Sequence, residues 1–215
     1  MSTQKKTISF QGFLGAYSDM ACREVFPHYD TLPCNSFDEA FRAAQEGESD
    51  LAMIPIDNTL AGRVADVHHL LPASNLQIIG EHFLPIHHTL LGVRGTKLED
   101  IETVHSHIHA IPQCRKMIKK HGFKSQVHAD TAGAAAEVAS RGDKKHGATA
   151  SSLAAEIYDL DILIEDVQDA DHNTTRFLIL SREPEHIPAD EDTPYLTSLV
   201  FRTRNIPAAL YKALG

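Results

Sequence analysis

Five consecutive residues, Asn173, Thr174, Thr175, Arg176 and Phe177, set hydroxyl and amide donors beside a fixed positive charge where an apolar strand begins. Arginine keeps its proton and can grip a carboxylate through two parallel hydrogen bonds, while a neighbouring hydroxyl or amide donates to a second oxygen. Such a corner could bind a carboxylate and donate a proton. Alone it is a weak sign, because a Thr-Arg pair at a strand start is more often a solvated edge. Two further stretches offer donors at the ends of strands. Residues 12–18 (Gly-Phe-Leu-Gly-Ala-Tyr-Ser) join a strand to a helix, and there glycine lets backbone amides approach an anion. Asn58 and Thr59, in residues 54–62, can cap a helix or turn toward a ligand. Neither stretch has the spacing of a dinucleotide fingerprint or a P-loop.

The elements that must position these groups alternate. Residues 7–10, 50–55, 103–105, 124–128, 147–150 and 175–180 read as strands, and helical patterns lie between them, which is the signature of an α/β protein. Ser36 to Glu39 reads as a capping box, and Asp130 opens an alanine-rich helix. Residues 76–93 hold strand-like pieces at 77–79, 82–86 and 89–93 that look like a crossover into a second lobe, with 175–180 as the return strand. Two α/β lobes around a cleft, as in type II periplasmic binding proteins, are therefore expected, with lobe 1 about 7–80 plus 175–181 and lobe 2 about 81–174. A polar, proline-bearing stretch at 182–194 reads as a linker, and residues 195–215 as the start of a further unit, too short to bury a core.

With 215 residues and 42% of them hydrophobic, the chain can fill two small cores. Its net charge of -9 disfavours nucleic acid as a partner. No apolar run approaches membrane-spanning length and the first residues lack an apolar signal core, so a cytoplasmic protein without a membrane partner is expected. Three cysteines without C-x-x-C spacing suggest reduced thiols. His105, His107 and His109 alternate and could hold zinc on one strand face, but helical periodicity from Ile108 would end that strand near His105 and scatter the rings. No metal site is expected. His68, His69, His87 and His88 read as surface or packing residues.

Taken together and in order, these pieces resemble the prephenate dehydratase family. The matching motifs are the Gly-rich turn at 12–18, the Pro-Ile-Glu-Asn-Ser-x-x-Gly element at 55–62, Ser-His-Pro-Gln-x-x-x-Gln-Cys at 106–114, the stretch at 130–135, Ala-Ser-x-x-Ala-Ala-x-x-Tyr-x-Leu at 150–160, and Asn-x-Thr-Arg-Phe at 173–177. The resemblance spans about residues 7–181, and 197–211 is similar to the start of the family's ACT regulatory domain, an α+β fold that would be incomplete here. Departures include Ala16 for a usual Thr, Phe13 for Pro, Asp57 and Thr59 for Glu and Ser, and Ile108 and His109 for Pro and Gln.

The resemblance implies decarboxylating dehydration of prephenate to phenylpyruvate, water and carbon dioxide, a step toward L-phenylalanine that needs no cofactor. It implies Thr175 as the catalytic hydrogen-bond donor to the departing hydroxyl, with His107 as candidate assistant. Arg176 would hold a substrate carboxylate. Asn58, Thr59, Ser18, Ser106, Thr131, Ser151 and Asn173 would complete the anion cradle, and Phe177 is placed with them at the substrate although its side chain reads chiefly as packing. Ala208, Ala209 and Leu210 match the region that binds L-phenylalanine as effector, but Ala208 replaces a Gly and the later Glu-Ser-Arg-Pro motif falls beyond residue 215, so an incomplete effector site is expected. A homodimer or homotetramer is implied. Alternatives are arogenate dehydratase, a dual-substrate cyclohexadienyl dehydratase, or a solute-binding protein without chemistry.

Overall fold

The computed structural model describes residues 5–184, 201 and 203–214. It divides into two units, Met1–Pro184 and Glu185–Gly215. The first unit holds two sheets. Sheet one contains β1 (Thr7–Gln11), β2 (Asp30–Cys34), β3 (Leu51–Asn58), β4 (Gly62–Arg63), β5 (Gln77–Pro85) and β11 (Thr174–Ser181), in the order β2-β1-β3-β11-β5 with β4 beside β3. Sheet two contains β6 (Thr89–Val93), β7 (Thr103–His107), β8 (Lys124–His128), β9 (His146–Ala150) and β10 (Leu160–Ile164), ordered β10-β6-β9-β7-β8. The chain crosses between the sheets at residues 86–88 and returns through 165–173, so the expected two-lobe α/β architecture is present.

Side-chain alternation along β11 divides the core of lobe one. Phe177 and Ile179 join Ile8, Phe10 and Met53 under α1 (Tyr17–Val25), while Leu178 and Leu180 join Phe41, Ala44, Ile54 and Val67 under α2 (Phe37–Glu46) and α3 (Ala65–Leu70). In lobe two, α5 (Thr131–Arg141) and α6 (Ser152–Tyr158) pack small alanines against Leu91, Ala148 and Ala150. The opposite face holds Leu90, Val104, Cys114 and Met117, the last on α4 (Arg115–His121). The N-caps read from sequence are formed. Ser36 Oγ accepts from Glu39 N at 3.2 Å, and Asp130 accepts from Gly133 N at 2.6 Å. The Glu39 carboxylate reaches Asn35 N instead of Ser36 N, one residue short of a full capping box.

Several boundaries differ from the sequence reading. β7 runs on to His107, and a short 3-10 turn (Ile111–Cys114) precedes α4, so the helical pattern from Ile108 starts three residues late. The pieces at 77–79 and 82–86 form one strand, because β11 pairs along its whole length with β5. β2 and β10 were not anticipated. Both are edge strands, one interrupted by Pro33, and neither shows a clean apolar alternation. Among the described residues no helix is long and apolar enough to cross a membrane. Cys22, Cys34 and Cys114 are free and buried, and burial pushes the Cys114 thiol up to about 12, which favours the neutral thiol there.

In the second unit the described part contains α7 (Ala209–Leu214), preceded by Ala208 in the left-handed region at φ 61°. Residues 185–194 of the expected linker and 195–200 of the expected regulatory strand lie outside the described residues.

Candidate functional site

Thr175 and Asn58 face each other across the β11–β3 ladder. The Asn58 side chain has its orientation set by its own turn. Its Oδ1 accepts from Leu60 N at 3.0 Å and Ala61 N at 2.8 Å, so Nδ2 must point at β11. There Nδ2 donates to Thr175 Oγ1 at 2.9 Å and to Asn173 Oδ1 at 2.8 Å. Because Thr175 Oγ1 accepts, its hydroxyl proton is available to donate elsewhere. Among the described residues it has no other hydrogen-bond partner, and it lines a cavity of about 240 Å³.

The network continues along the wall of the cavity, which Asn173, Gln113, His88 and Tyr17 also line. Asn173, buried, donates through Nδ2 to Gln113 Oε1 at 2.7 Å, and Gln113 Oε1 also meets His88 Nε2 at 3.0 Å. An amide oxygen only accepts, so His88 carries its proton on Nε2 and offers a lone pair at Nδ1. That lone pair faces Tyr17 Oη at 2.7 Å, and Tyr17 Oη also lies 2.8 Å from the His87 carbonyl. Burial lowers the His88 pKa and raises that of Tyr17, so both are neutral near pH 7. Tyr17, His88, Gln113, Asn173, Asn58 and Thr175 thus form one continuous chain of hydrogen bonds. It links α1, the crossover, the 3-10 turn before α4, and both central strands of lobe one.

Ser18 and Thr131 also line the cavity, each in the first turn of its helix, α1 and α5. The positive dipole ends of both helices therefore lie at the same space, an arrangement suited to carboxylates. His107 and His109 line the cavity and a larger adjoining one of about 630 Å³, which also reaches Arg63. Burial and the neighbouring His109 lower the His107 pKa, against an opposing pull from Asp130. Phe177, only 1% exposed, forms the floor.

Other expected donors lie elsewhere. Arg176 is next to Thr175 in an extended strand and so projects from the opposite face. Its Nε donates to Glu81 at 2.7 Å and its guanidinium sits 5.9 Å from the Phe83 ring centre, outside the residues lining the cavity. The expected pairing of Arg176 with a ligand in this cleft does not match that placement; among the described residues lining the two cavities the arginine is Arg63. Ser106 is buried and donates to Thr149 O at 2.7 Å. Ser151 donates to Gly15 O at 2.5 Å and caps α6. Thr59 donates to His172 O at 2.9 Å and accepts from Thr174 N at 3.0 Å, fastening two strands instead of facing the cavity. Ala208, Ala209 and Leu210 belong to the second unit. The expected scattering of the three histidines is only partial: β7 runs on to His107, whose ring lies 5.2 Å from that of His109, while His105 contacts His128 and His146. Tyr17, Gln113 and Arg63 were not assigned from sequence, and His88, read there as a surface or packing residue, is buried within the network. Gln113 lay within a matched motif, whereas His88 becomes visible only when four elements are packed together.

Known proteins place this geometry in a family. The family model described as Prephenate dehydratase matches residues 8–185. A bifunctional N-acyl-homoserine lactone acylase/prephenate dehydratase from Komagataeibacter europaeus is 48% identical over 98% of this chain and 75% of its own length. Arogenate dehydratase/prephenate dehydratase 1, chloroplastic, from Arabidopsis thaliana is 46% identical over 98% of this chain and 53% of its own length, so the chain spans about half of that plant relative. The crystal structure of prephenate dehydratase in complex with L-Phe from Arthrobacter aurescens superimposes with a TM-score of 0.81 at 27% identity, covering 97% of this chain and 70% of that one. With the family model spanning both lobes and the cleft between them, the chain belongs to the prephenate dehydratase family.

Proposed function

We propose that this chain converts prephenate to phenylpyruvate, with Thr175 as the hydrogen-bond donor to the departing ring hydroxyl. The reaction breaks the ring C–O bond and the bond to the ring carboxylate; one proton taken up completes water, and carbon dioxide leaves with aromatisation as driving force. The observation that carries this reading is the Thr175 hydroxyl, held by Asn58 Nδ2 as an acceptor and lining the cavity. A threonine hydroxyl is a weak acid. Its value lies in an oriented hydrogen bond that tightens as negative charge develops on the leaving oxygen. Asn58 Nδ2 strengthens that donor by polarising Oγ1, and the Asn173–Gln113–His88 chain holds Asn58 and the strand end in register. Ser18, Thr131 and the amides at the starts of α1 and α5 are assigned the carboxylates, with Arg63 supplying charge at the mouth. His107 is assigned a place beside the leaving group.

Arogenate, which bears an amino group where prephenate has a side-chain keto group, is the second substrate we propose, on the strength of the plant relative's name. The acylase named for the Komagataeibacter relative finds less support in the cleft. Among its described residues the only hydroxyl hydrogen-bonded to a histidine is Tyr17, held neutral by burial. L-Phenylalanine, named in complex with the Arthrobacter relative, is the effector we propose, on the strength of that name. The deciding assay follows phenylpyruvate formation from prephenate, beside arogenate and an N-acyl-homoserine lactone, by wild type and by Thr175→Ala checked for folding by circular dichroism. Turnover of prephenate that collapses in the folded variant supports the proposal. A folded wild type inert on prephenate, or a variant with full rate, overturns it.

A further inference from the structure

Lobe two contains a histidine row that the cleft does not use. His105 on β7, His128 on β8 and His146 on β9 stand diagonally across three adjacent strands, beneath α5. His105, fully buried, has Nδ1 2.9 Å from His128 Nε2 and Nε2 2.7 Å from His146 Nδ1. The outer nitrogens face carboxylates, His128 Nδ1 at 3.4 Å from Glu137 and His146 Nε2 at 3.8 Å from Asp143.

Counting protons exposes a conflict. If each imidazole carries a single proton, the row has three, and the two internal contacts take one each. If the third sits on His128 Nδ1, His146 Nε2 turns a bare lone pair toward Asp143. If it sits on His146 Nε2, His128 Nδ1 turns a bare lone pair toward Glu137. A cation replacing the proton between His105 and His128 removes the conflict. His128 Nδ1 then keeps a proton, His105 Nε2 donates to His146 Nδ1, and His146 Nε2 donates toward Asp143.

We propose that His105, His128 and Glu137 form a binding site for a borderline divalent metal ion of the zinc class, with His146 orienting His105. Ligand atoms of the three residues lie within 4.8 Å of one another; one Glu137 oxygen would serve the ion, while Glu137 Oε1 also accepts from Arg141 Nη2 at 2.5 Å. Two imidazoles on one tetrahedral ion have donor nitrogens roughly 3.3 Å apart, from Zn–N bonds of about 2.0–2.1 Å. The 2.9 Å contact is about 0.4 Å short of that separation. A hydrogen bond from the non-ligating nitrogen of a histidine to a fixed acceptor, as from His105 to His146, is the usual support for a ligating imidazole. His128 and Glu137 are 15% and 41% exposed at their side chains, which leaves an ion a way in. The ion would cross-link β7, β8 and α5 without touching the substrate.

The test is titration of the EDTA-treated full chain with cobalt(II), followed by visible absorption, and with zinc by calorimetry. One saturable ion per chain is expected. His128→Gln and Glu137→Gln should each weaken binding about tenfold or more. His68→Gln/His69→Gln, altering an exposed pair on α3, should leave binding unchanged. Zinc should raise the thermal midpoint of wild type and not of His128→Gln, whose metal-free midpoint checks its fold. No saturable binding, binding undiminished in both His128→Gln and Glu137→Gln, or imidazole signals that respond to pH but not to zinc would overturn the proposal.

Discussion

Thr175 is one hydroxyl with one acceptor role already filled by Asn58 Nδ2, and that division of labour is testable. Thr175→Ala is expected to lower kcat about 10²–10³-fold, the range for removing one transition-state donor, with little change in KM. Thr175→Ser should recover a substantial part, since it restores the hydroxyl. Equal losses in both would argue that the methyl group, not the hydroxyl, matters. The two arginines separate in the same assay. Arg63→Gln should raise KM, while Arg176→Gln, at a residue paired with Glu81 on the other strand face, should lower stability and spare KM. A KM effect confined to Arg176 would reverse that assignment. His88 gives a pH expectation. Its folded pKa lies below the ordinary 6.5 because burial disfavours the charged ring. Between that lowered value and about 6.5 the unfolded chain binds the extra proton, so the contribution is intact above pH 6.5 and is lost as pH falls below it. The slope from this one group is at most about 1.4 kcal/mol per pH unit. Urea unfolding at several pH values from 7.5 to 5 should show a shallower acid-side decline in His88→Asn than in wild type. Parallel curves would exclude His88 as the source.

At the scale of elements, α1 begins at Ala16 with extended backbone angles and no side-chain cap, whereas α2, α5 and α6 are capped by Ser36, Asp130 and Ser151. Ala16→Thr should therefore stabilise the fold by about 0.5–1 kcal/mol, read as a shift in the urea midpoint at constant m-value. No shift would mean that the site, 7% exposed, cannot accept the side chain. The sequence made such helix starts legible because capping depends on residues three apart. It also made most central strands legible, since β3, β6 and β11 are short apolar runs buried on both faces. β2 and β10 escaped because edge strands need not be apolar. The motif at 173–177 identified the right strand end, yet consecutive strand residues face opposite ways, so Thr175 and Arg176 could not both enter one cavity. His88 and Gln113 were silent for another reason. Their roles come from packing among segments far apart in the chain, 25 residues between the two and 60 from Gln113 to Asn173.

At the scale of the first unit, the turn after β1 lies against lobe two. Ser151 Oγ donates to Gly15 O, Tyr158 Oη donates to Leu14 O at 2.8 Å, and a side chain at Gly15 would come within 2.9 Å of Ala154 Cα. Gly15 also has φ 85°, where only glycine is comfortable. Ala132 and Tyr158 of lobe two share a core with Phe10 and Phe177 of lobe one. Two crossing segments alone would act as an axle and leave the lobes one swinging motion, the usual clamshell of solute capture. The turn at Gly15 adds a third fastening, and a plate pinned at three points does not swing. The cleft should thus be a preformed mould, not a trap that snaps shut, so scattering curves with and without a substrate analogue should coincide. In Gly15→Ala they should diverge, as the lobes regain their play; a clamshell contraction in wild type would show that the pin slips.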